Sequence, residues 1–414
     1  MKKNTYLILG WILTLLISII WTYENPEKIK SVKNKLKLYV PKNDFKKLDD
    51  DKVKNIFDSN HFKLKLEKIV SLEGKTSFIL NNSINKEFNI NDVAIYTQEG
   101  FKLKKDNSEK LNINKNFTED YNGGLKTVFF INNKIYGLTS SLIKNCYYAA
   151  IVDLSSGIEL FRSACLPEND NPKLDFNGLG SSTIHLDNKV LISIGTPTYS
   201  SNTISNLAQN KNSYFGKILS IEMDNFKKNK LKPKNFSIGH RNPQGITKIN
   251  NLIFSLEHGP QGGDELNKIK FGFNYGWPKV SYGTKYPHDD KGKSYSIGHD
   301  ENGFEEPLFA FVPSIGISAL NICPSKLRNY YKKNCLIGLS LYGNDLRPGK
   351  SIIIYLLNNK MTEVKSIEKI FLGDQMRLRH FVTNSKNELY EDKNGDIYIS
   401  VDGIGIHRLS FLGL

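Results

Sequence analysis

Leu186-Asp187-Asn188-Lys189-Val190-Leu191-Ile192-Ser193-Ile194 reads as a polar turn feeding directly into a strand. The acid and amide reverse the chain, and the aliphatic run that follows is too short for a helix of useful length. Far downstream the same phrase recurs as Asp392-Lys393-Asn394-Gly395-Asp396-Ile397-Tyr398. Around these two lie further short apolar or alternating runs, at Val128 to Ile131, Ala149 to Val152, Lys217 to Ile221, Ile253 to Leu256, Ile352 to Leu356 and Ile397 to Val401. Gly, Asn, Asp and Pro separate them, and no convincing helical period appears. Such spacing predicts an all-β barrel, sandwich or propeller. A turn-and-strand unit repeated so far apart suits a radial array better than one sandwich stretched from His61 to Leu414. The pattern predicts a β-propeller and leaves the number of blades open.

Composition agrees with a folded chain. Of 414 residues, 39% are hydrophobic and 11% aromatic, enough for a packed core and against wholesale disorder. The formal charge of +15 comes mostly from lysines scattered along the chain, and no nucleic-acid motif accompanies it, so no nucleic-acid partner is expected. The N-terminus reads Met1-Lys2-Lys3-Asn4-Thr5 and then runs uncharged from Tyr6 to Tyr23, with Trp11 and Trp21 at positions suited to membrane interfaces. The exit Ile20-Trp21-Thr22-Tyr23-Glu24 lacks the small residues of a cleavage site, which favours an uncleaved anchor over a signal peptide. Lys2 and Lys3 would keep this end cytoplasmic, although the lysines crowded between Lys28 and Lys54 pull the other way. The expected organisation is a membrane anchor or signal helix over 1–24, a lysine-rich linker over 25–60 and the propeller over 61–414. The corresponding location is the inner membrane facing the periplasm, or the periplasm itself.

Four cysteines fit an exported chain. Cys146 and Cys165 flank a strand-turn-strand segment whose ends could come within disulfide reach, and Cys323 and Cys335 close a short loop. Four buried free thiols remain the alternative reading.

The chemistry concentrates in three nearby phrases: Ile238-Gly239-His240-Arg241-Asn242-Pro243-Gln244-Gly245, then Glu257-His258-Gly259-Pro260-Gln261-Gly262-Gly263-Asp264-Glu265-Leu266-Asn267, then Asn274-Tyr275-Gly276-Trp277-Pro278. Arg241, Asn242 and Gln244 place a fixed cation and two amides within four positions, suited to a planar ligand bearing carboxylates or carbonyls. Gly259-Pro260 and Gly262-Gly263 imply a tight loop with exposed carbonyls. Asp264 and Glu265 beside it are hard oxygen donors of the kind that hold Ca²⁺. A turn-rich connection with a capping arginine and solvated acids is the bland alternative, and the clustering of all three phrases weighs against it.

Together these phrases resemble the signature of the glucose/sorbosone dehydrogenase family, enzymes dependent on pyrroloquinoline quinone (PQQ) and built as six-bladed propellers. Ala208-Gln209-Asn210, Gly216-Lys217-Ile218-Leu219 and Val312-Pro313-Ser314-Ile315 extend the similarity, which is strong from about Ser181 to Tyr286 and weak before Gly123-Gly124-Leu125. The resemblance implies PQQ on the axial face, held by Arg241, Asn242 and Gln244 and by Arg377 and Arg379, which lie two apart on a strand and so share a face. It implies Ca²⁺ on the Gly259 and Pro260 carbonyls, polarising the quinone, and a second, structural calcium at Asp264, Glu265 and Tyr275. It implies a sugar oxidised at the anomeric carbon, with electrons leaving through an unidentified acceptor.

Three positions depart from the family pattern. Asn177 stands where the family's general-base histidine is expected, and an amide cannot take a hydroxyl proton at neutral pH. Gly195-Thr196 replaces the usual Gly-Asp, removing the carboxylate that would orient that histidine. Ser340-Leu341-Tyr342 puts a phenol where a lysine is expected. A catalytically impaired, membrane-tethered propeller that binds sugar or another ligand is therefore the alternative expectation.

Overall fold

A computed structural model describes residues 56–72, 77–81, 93–104, 107–167, 174–198, 203–228, 230–286, 292–343 and 349–414. The anchor or signal expected over 1–24 and almost all of the expected linker lie outside the described residues. No helix among the described residues is long and apolar enough to cross a membrane.

Six antiparallel sheets make six blades. The first holds β3–β6 (Ser77–Asn81, Val93–Thr97, Phe101–Lys104, Asn107–Lys110). The second holds β7–β10 (Leu125–Ile131, Lys134–Ile143, Cys146–Asp153, Glu159–Arg162), with β11 (Leu166–Pro167) added beside β9. The third holds β12–β15 (Thr183–Leu186, Lys189–Ile194, Lys217–Glu222, Lys234–Ile238). The fourth holds β16–β19 (Pro243–Ile249, Leu252–Glu257, Asp264–Ile269, Phe309–Phe311). The fifth holds β20–β23 (Ile317–Ile322, Cys335–Ser340, Ser351–Leu357, Val364–Phe371).

The sixth blade closes the ring. Its strands β24–β26 (Leu378–Phe381, Ile397–Val401, Gly405–Leu412) come from the end of the chain, and β2 (Lys63–Ser71) and β1 (Ile56–Asp58) complete it from the beginning. The sheet thus starts slightly before His61, where the sequence placed its onset, because Ile56 to Asp58 pair with Lys63 to Lys65. β2 pairs with β26 from Lys63 opposite Leu412 to Ser71 opposite Gly405, so strands from the two ends of the chain join within one sheet, with β1 at its outer edge.

Sandwiched between neighbours, the middle strands are buried on both faces, so they read as continuous apolar runs rather than alternating ones. In β25 and β21 every residue is buried. Phe129, Leu138 and Ile151 of the second blade meet Val190, Ile192 and Leu219 of the third. Leu256 and Leu266 of the fourth meet Leu320, Leu336 and Ile353 of the fifth. Each such side chain contributes about 1.5–3 kcal/mol by leaving water.

Both recurring polar turns lead into the second strand of a blade, β13 and β25, so they are equivalent positions of one repeat. The hairpins between first and second strands use Asn132, Asn133, Asp187 and Asn250 in left-handed backbone, which Asn and Asp tolerate better than other side chains. Both cysteine pairs form disulfides, Cys146–Cys165 and Cys323–Cys335.

Candidate functional site

The first strands of the blades pack around the hub. Each is entered from the same face of the disc, so the incoming segments converge there. Arg241-Asn242 lead into β16, 174–182 into β12, 312–316 into β20 and Arg377 into β24. The turns between second and third strands, 258–263 and 402–404, reach the same face, since Glu257 pairs with Pro243 and Val401 with Leu378. Between them opens a cavity of about 740 Å³.

Arg241, Asn242, Gln244, Arg377 and Arg379 all line this cavity, as do Asn177, Gly259, Pro260 and Asp264. Residues drawn from more than two hundred positions of chain thus share one wall. Arg241 is 7% exposed; its Nη1 donates to the His258 carbonyl at 3.1 Å and its guanidinium lies 5.3 Å from the Trp277 ring centre. Asn242 Oδ1 accepts from Gly180 N at 2.8 Å and Gln244 Nε2 at 2.9 Å, while its Nδ2 donates to the Asn177 carbonyl at 3.2 Å. Gly180 permits this approach: a Cβ there would lie 2.1 Å from Asn242 Oδ1. Asp402 holds both late arginines, Arg379 through Nη2 at 2.5 Å and Arg377 through Nε at 3.6 Å. Sequence reading missed Asp402, which sits in an unremarkable strand-end turn.

The Gly-Pro loop is fixed by Asp264. Its Oδ1 accepts from Gly259 N at 3.0 Å and Ser314 Oγ at 2.9 Å, and its Oδ2 from Ile315 N at 2.9 Å and Gly316 N at 2.8 Å. Neighbouring strand residues point to opposite faces, so Glu265 turns away from this clasp. The expected trio of Asp264, Glu265 and Tyr275 is therefore split. Glu265 and Tyr275 line a separate cavity of about 10 Å³ with Glu257, large enough for one water or ion. Burial and the neighbouring Glu257 carboxylate push Glu265 up to about 8. The Tyr275 hydroxyl donates to Lys268 O at 2.7 Å and accepts from Lys270 N at 2.9 Å, and burial pushes it upward. Among the described residues no cluster of three or more His, Cys, Asp or Glu has the arrangement of a metal site.

Asn177 stands exposed on the cavity wall, its N–H donating to Asp175 Oδ1 at 2.9 Å. Thr196 is wholly buried, its N–H and Oγ1 both donating to Arg241 O. Tyr342, 55% exposed, lines the cavity where the lysine was expected. His258 also lines it; burial is the main cause pushing its imidazole down to about 4, and its buried Nε2 has no hydrogen-bond partner among the described residues. Two residues that the sequence did not single out lie nearby: Asp175 on the wall, and half-buried Lys126 on β7. Burial and then Arg379 push the Lys126 ammonium down to about 8, with Asp175 opposing.

The described residues thus form a six-bladed propeller with a cationic, amide-lined cavity at its hub. The chain belongs to the glucose/sorbosone dehydrogenase family, whose model, described as Glucose / Sorbosone dehydrogenase, matches residues 169–403. It is 28% identical over 171 residues to aldose sugar dehydrogenase YliI of Escherichia coli (strain K12), 39% of this chain and 42% of that one. It is 41% identical over 90 residues to quinoprotein glucose dehydrogenase B of Acinetobacter calcoaceticus, 20% of this chain and 18% of that one. The matched stretches thus span less than half the length of these relatives. In fold it is similar to the soluble aldose sugar dehydrogenase of Escherichia coli in the apo-form, with a TM-score of 0.61 at 20% identity over 84% of this chain and 99% of that one. It is similar too to the PQQ-bound aldose sugar dehydrogenase of Streptomyces coelicolor, with a TM-score of 0.55 at 17% identity over 84% and 98%.

Proposed function

We propose that this chain is a PQQ-dependent aldose dehydrogenase that oxidises a sugar at the anomeric carbon. One observation carries the proposal: Arg241, Asn242, Gln244, Arg377 and Arg379 line a single cavity at the hub. Three guanidiniums and two amides on one wall fit the chemistry of a flat tricarboxylate, and the partnerless His258 Nε2 is a further polar atom available to a ligand. Arg241, Arg377 and Arg379 would hold carboxylates; Asn242 and Gln244 would meet ring oxygen or nitrogen. When bound, the quinone supplies a two-electron acceptor for hydride.

The Gly259 and Pro260 carbonyls, on the loop clasped by Asp264, would hold Ca²⁺ as a Lewis acid. A second Ca²⁺ is supported at the Glu257, Glu265 and Tyr275 cavity, where two neighbouring carboxylates share a small enclosed space and each raises the cost of ionising the other. The chain's own work is then orientation: Asp402 sets the two late arginines, and Asn242 bridges Gln244 to the Asn177 segment. An N-terminal anchor, a periplasmic location and a separate electron acceptor complete the proposal.

Titrating the purified ectodomain with PQQ and Ca²⁺ should shift the quinone's absorbance and support dye reduction with at least one aldose. Absence of any spectral shift would remove the reading. Asn177 favours a second reading, a propeller that binds its ligand without oxidising it: quinone or sugar binding by calorimetry with no dye reduction across aldoses would establish that one.

A further inference from the structure

With an amide at Asn177 and no carboxylate at Thr196, sugar oxidation requires another proton acceptor beside the cavity wall. A connected set of hydrogen bonds leads from that wall to one candidate. Gln244 Nε2 donates to Asn242 Oδ1, Asn242 Nδ2 to Asn177 O, and Asn177 N to Asp175 Oδ1. The same Asp175 Oδ1 accepts from Asn122 Nδ2 at 3.1 Å, and the Asn122 carbonyl accepts from Lys126 Nζ at 3.1 Å. Three separate segments, 122–126, 175–177 and 241–244, therefore converge beside Arg379, which acts electrostatically on Lys126.

We infer that Lys126 is the proton acceptor of this site, taking the sugar hydroxyl proton that Asn177 cannot. The inference rests on the quinone reading above. In the step, the O–H bond of the anomeric hydroxyl breaks and its proton goes to the Lys126 amine. The anomeric C–H bond breaks with its electron pair going to the quinone, and the C=O bond of the lactone forms. The sugar loses two electrons and the quinone gains them; the proton that completes the quinol returns from Lys126. The groups acting on the amine set its readiness. Burial and the Arg379 guanidinium favour the neutral form, Asp175 favours the charged one, and the balance lies at about 8. An ordinary lysine, near 10.4, would be protonated throughout the neutral range.

The test compares wild type with Lys126→Met and Lys126→Arg, each loaded with PQQ and Ca²⁺. Both variants should titrate with the quinone as wild type does and unfold at a similar temperature. Both should lose roughly 100-fold or more in kcat with KM little changed. The wild-type rate should rise with pH through about 8, a limb absent from the residual activity of the variants. Independently, ¹³C-dimethylation of the chain without quinone should give a lysine resonance with a midpoint near 8 that Lys126→Arg removes. Lys126→Arg retaining activity would show that charge alone suffices and would overturn the inference; so would a Lys126 midpoint in the ordinary lysine range. A wild type that binds quinone but reduces no dye overturns the lysine's role and leaves the cofactor reading standing. A wild type that never binds quinone overturns the cofactor reading and the inference with it.

Discussion

At the scale of single residues the site depends on charge held in place. Arg241 is nearly buried, so truncating it removes a fixed cation from the cavity wall. Arg241→Leu and Arg379→Leu should each weaken PQQ binding by at least about 30-fold, roughly 2 kcal/mol, measured by absorbance titration. Glu265 gives a pH signature. Its folded value, about 8, lies above its unfolded value, so its contribution to stability is full below about 4.5 and is lost as pH climbs towards 8. In chelator, wild type should therefore lose melting temperature relative to Glu265→Gln between pH 6.5 and 8. Ca²⁺ should raise the wild-type melting temperature and leave the variant nearly unchanged. A Ca²⁺ response equal in both chains would place the ion elsewhere.

At the scale of elements, backbone contacts decide where side chains reach. Gly180 lies between the Asn177 segment and Asn242, so Gly180→Ala should push the amide aside and weaken quinone binding while the blades still form, a change visible by titration with unaltered far-UV dichroism. Lys217, wholly buried on β14, donates to the carbonyls of Leu207, Ala208 and Phe215, each at 2.8 Å. Burial pushes the Lys217 ammonium down to about 7. Lys217→Met would remove one donor contact from each of three carbonyls, two of which keep a backbone N–H (Asn210 N to Leu207 O, Gly239 N to Ala208 O), and should cost about 1–3 kcal/mol in denaturant unfolding. The apolar runs legible in the sequence all lie in strands, because a blade buried on both faces leaves a local mark. The convergence of Asp175, Lys126 and Asp402 left none. Each is an ordinary polar residue near a turn, and only blade packing carries it to the hub.

At the scale of the molecule, the ring is closed by strands from its two ends. Removing residues 56–71 would expose the length of β26 as an unpaired edge and leave the sixth blade with three strands. Such a truncation should lose cooperative thermal unfolding and aggregate, whereas Leu64→Ala, at a fully buried position, should remain folded at a cost of about 2–5 kcal/mol.

The sequence alone determined that the chain is a repeated β architecture, that its polar phrases around Arg241, Gly259 and Tyr275 belong to one family, and that an amide and a hydroxyl stand at Asn177 and Thr196. Those are properties of local pattern: strand periodicity, turn chemistry and residue identity act within a few positions of chain. Only the tertiary structure decided that Asp264 clasps the cavity loop while Glu265 turns to a separate buried chamber, and that Lys126 stands beside Arg379. The direction a side chain faces, and the charges it meets there, follow from which strands pack around the hub, and residues hundreds of positions apart set that packing.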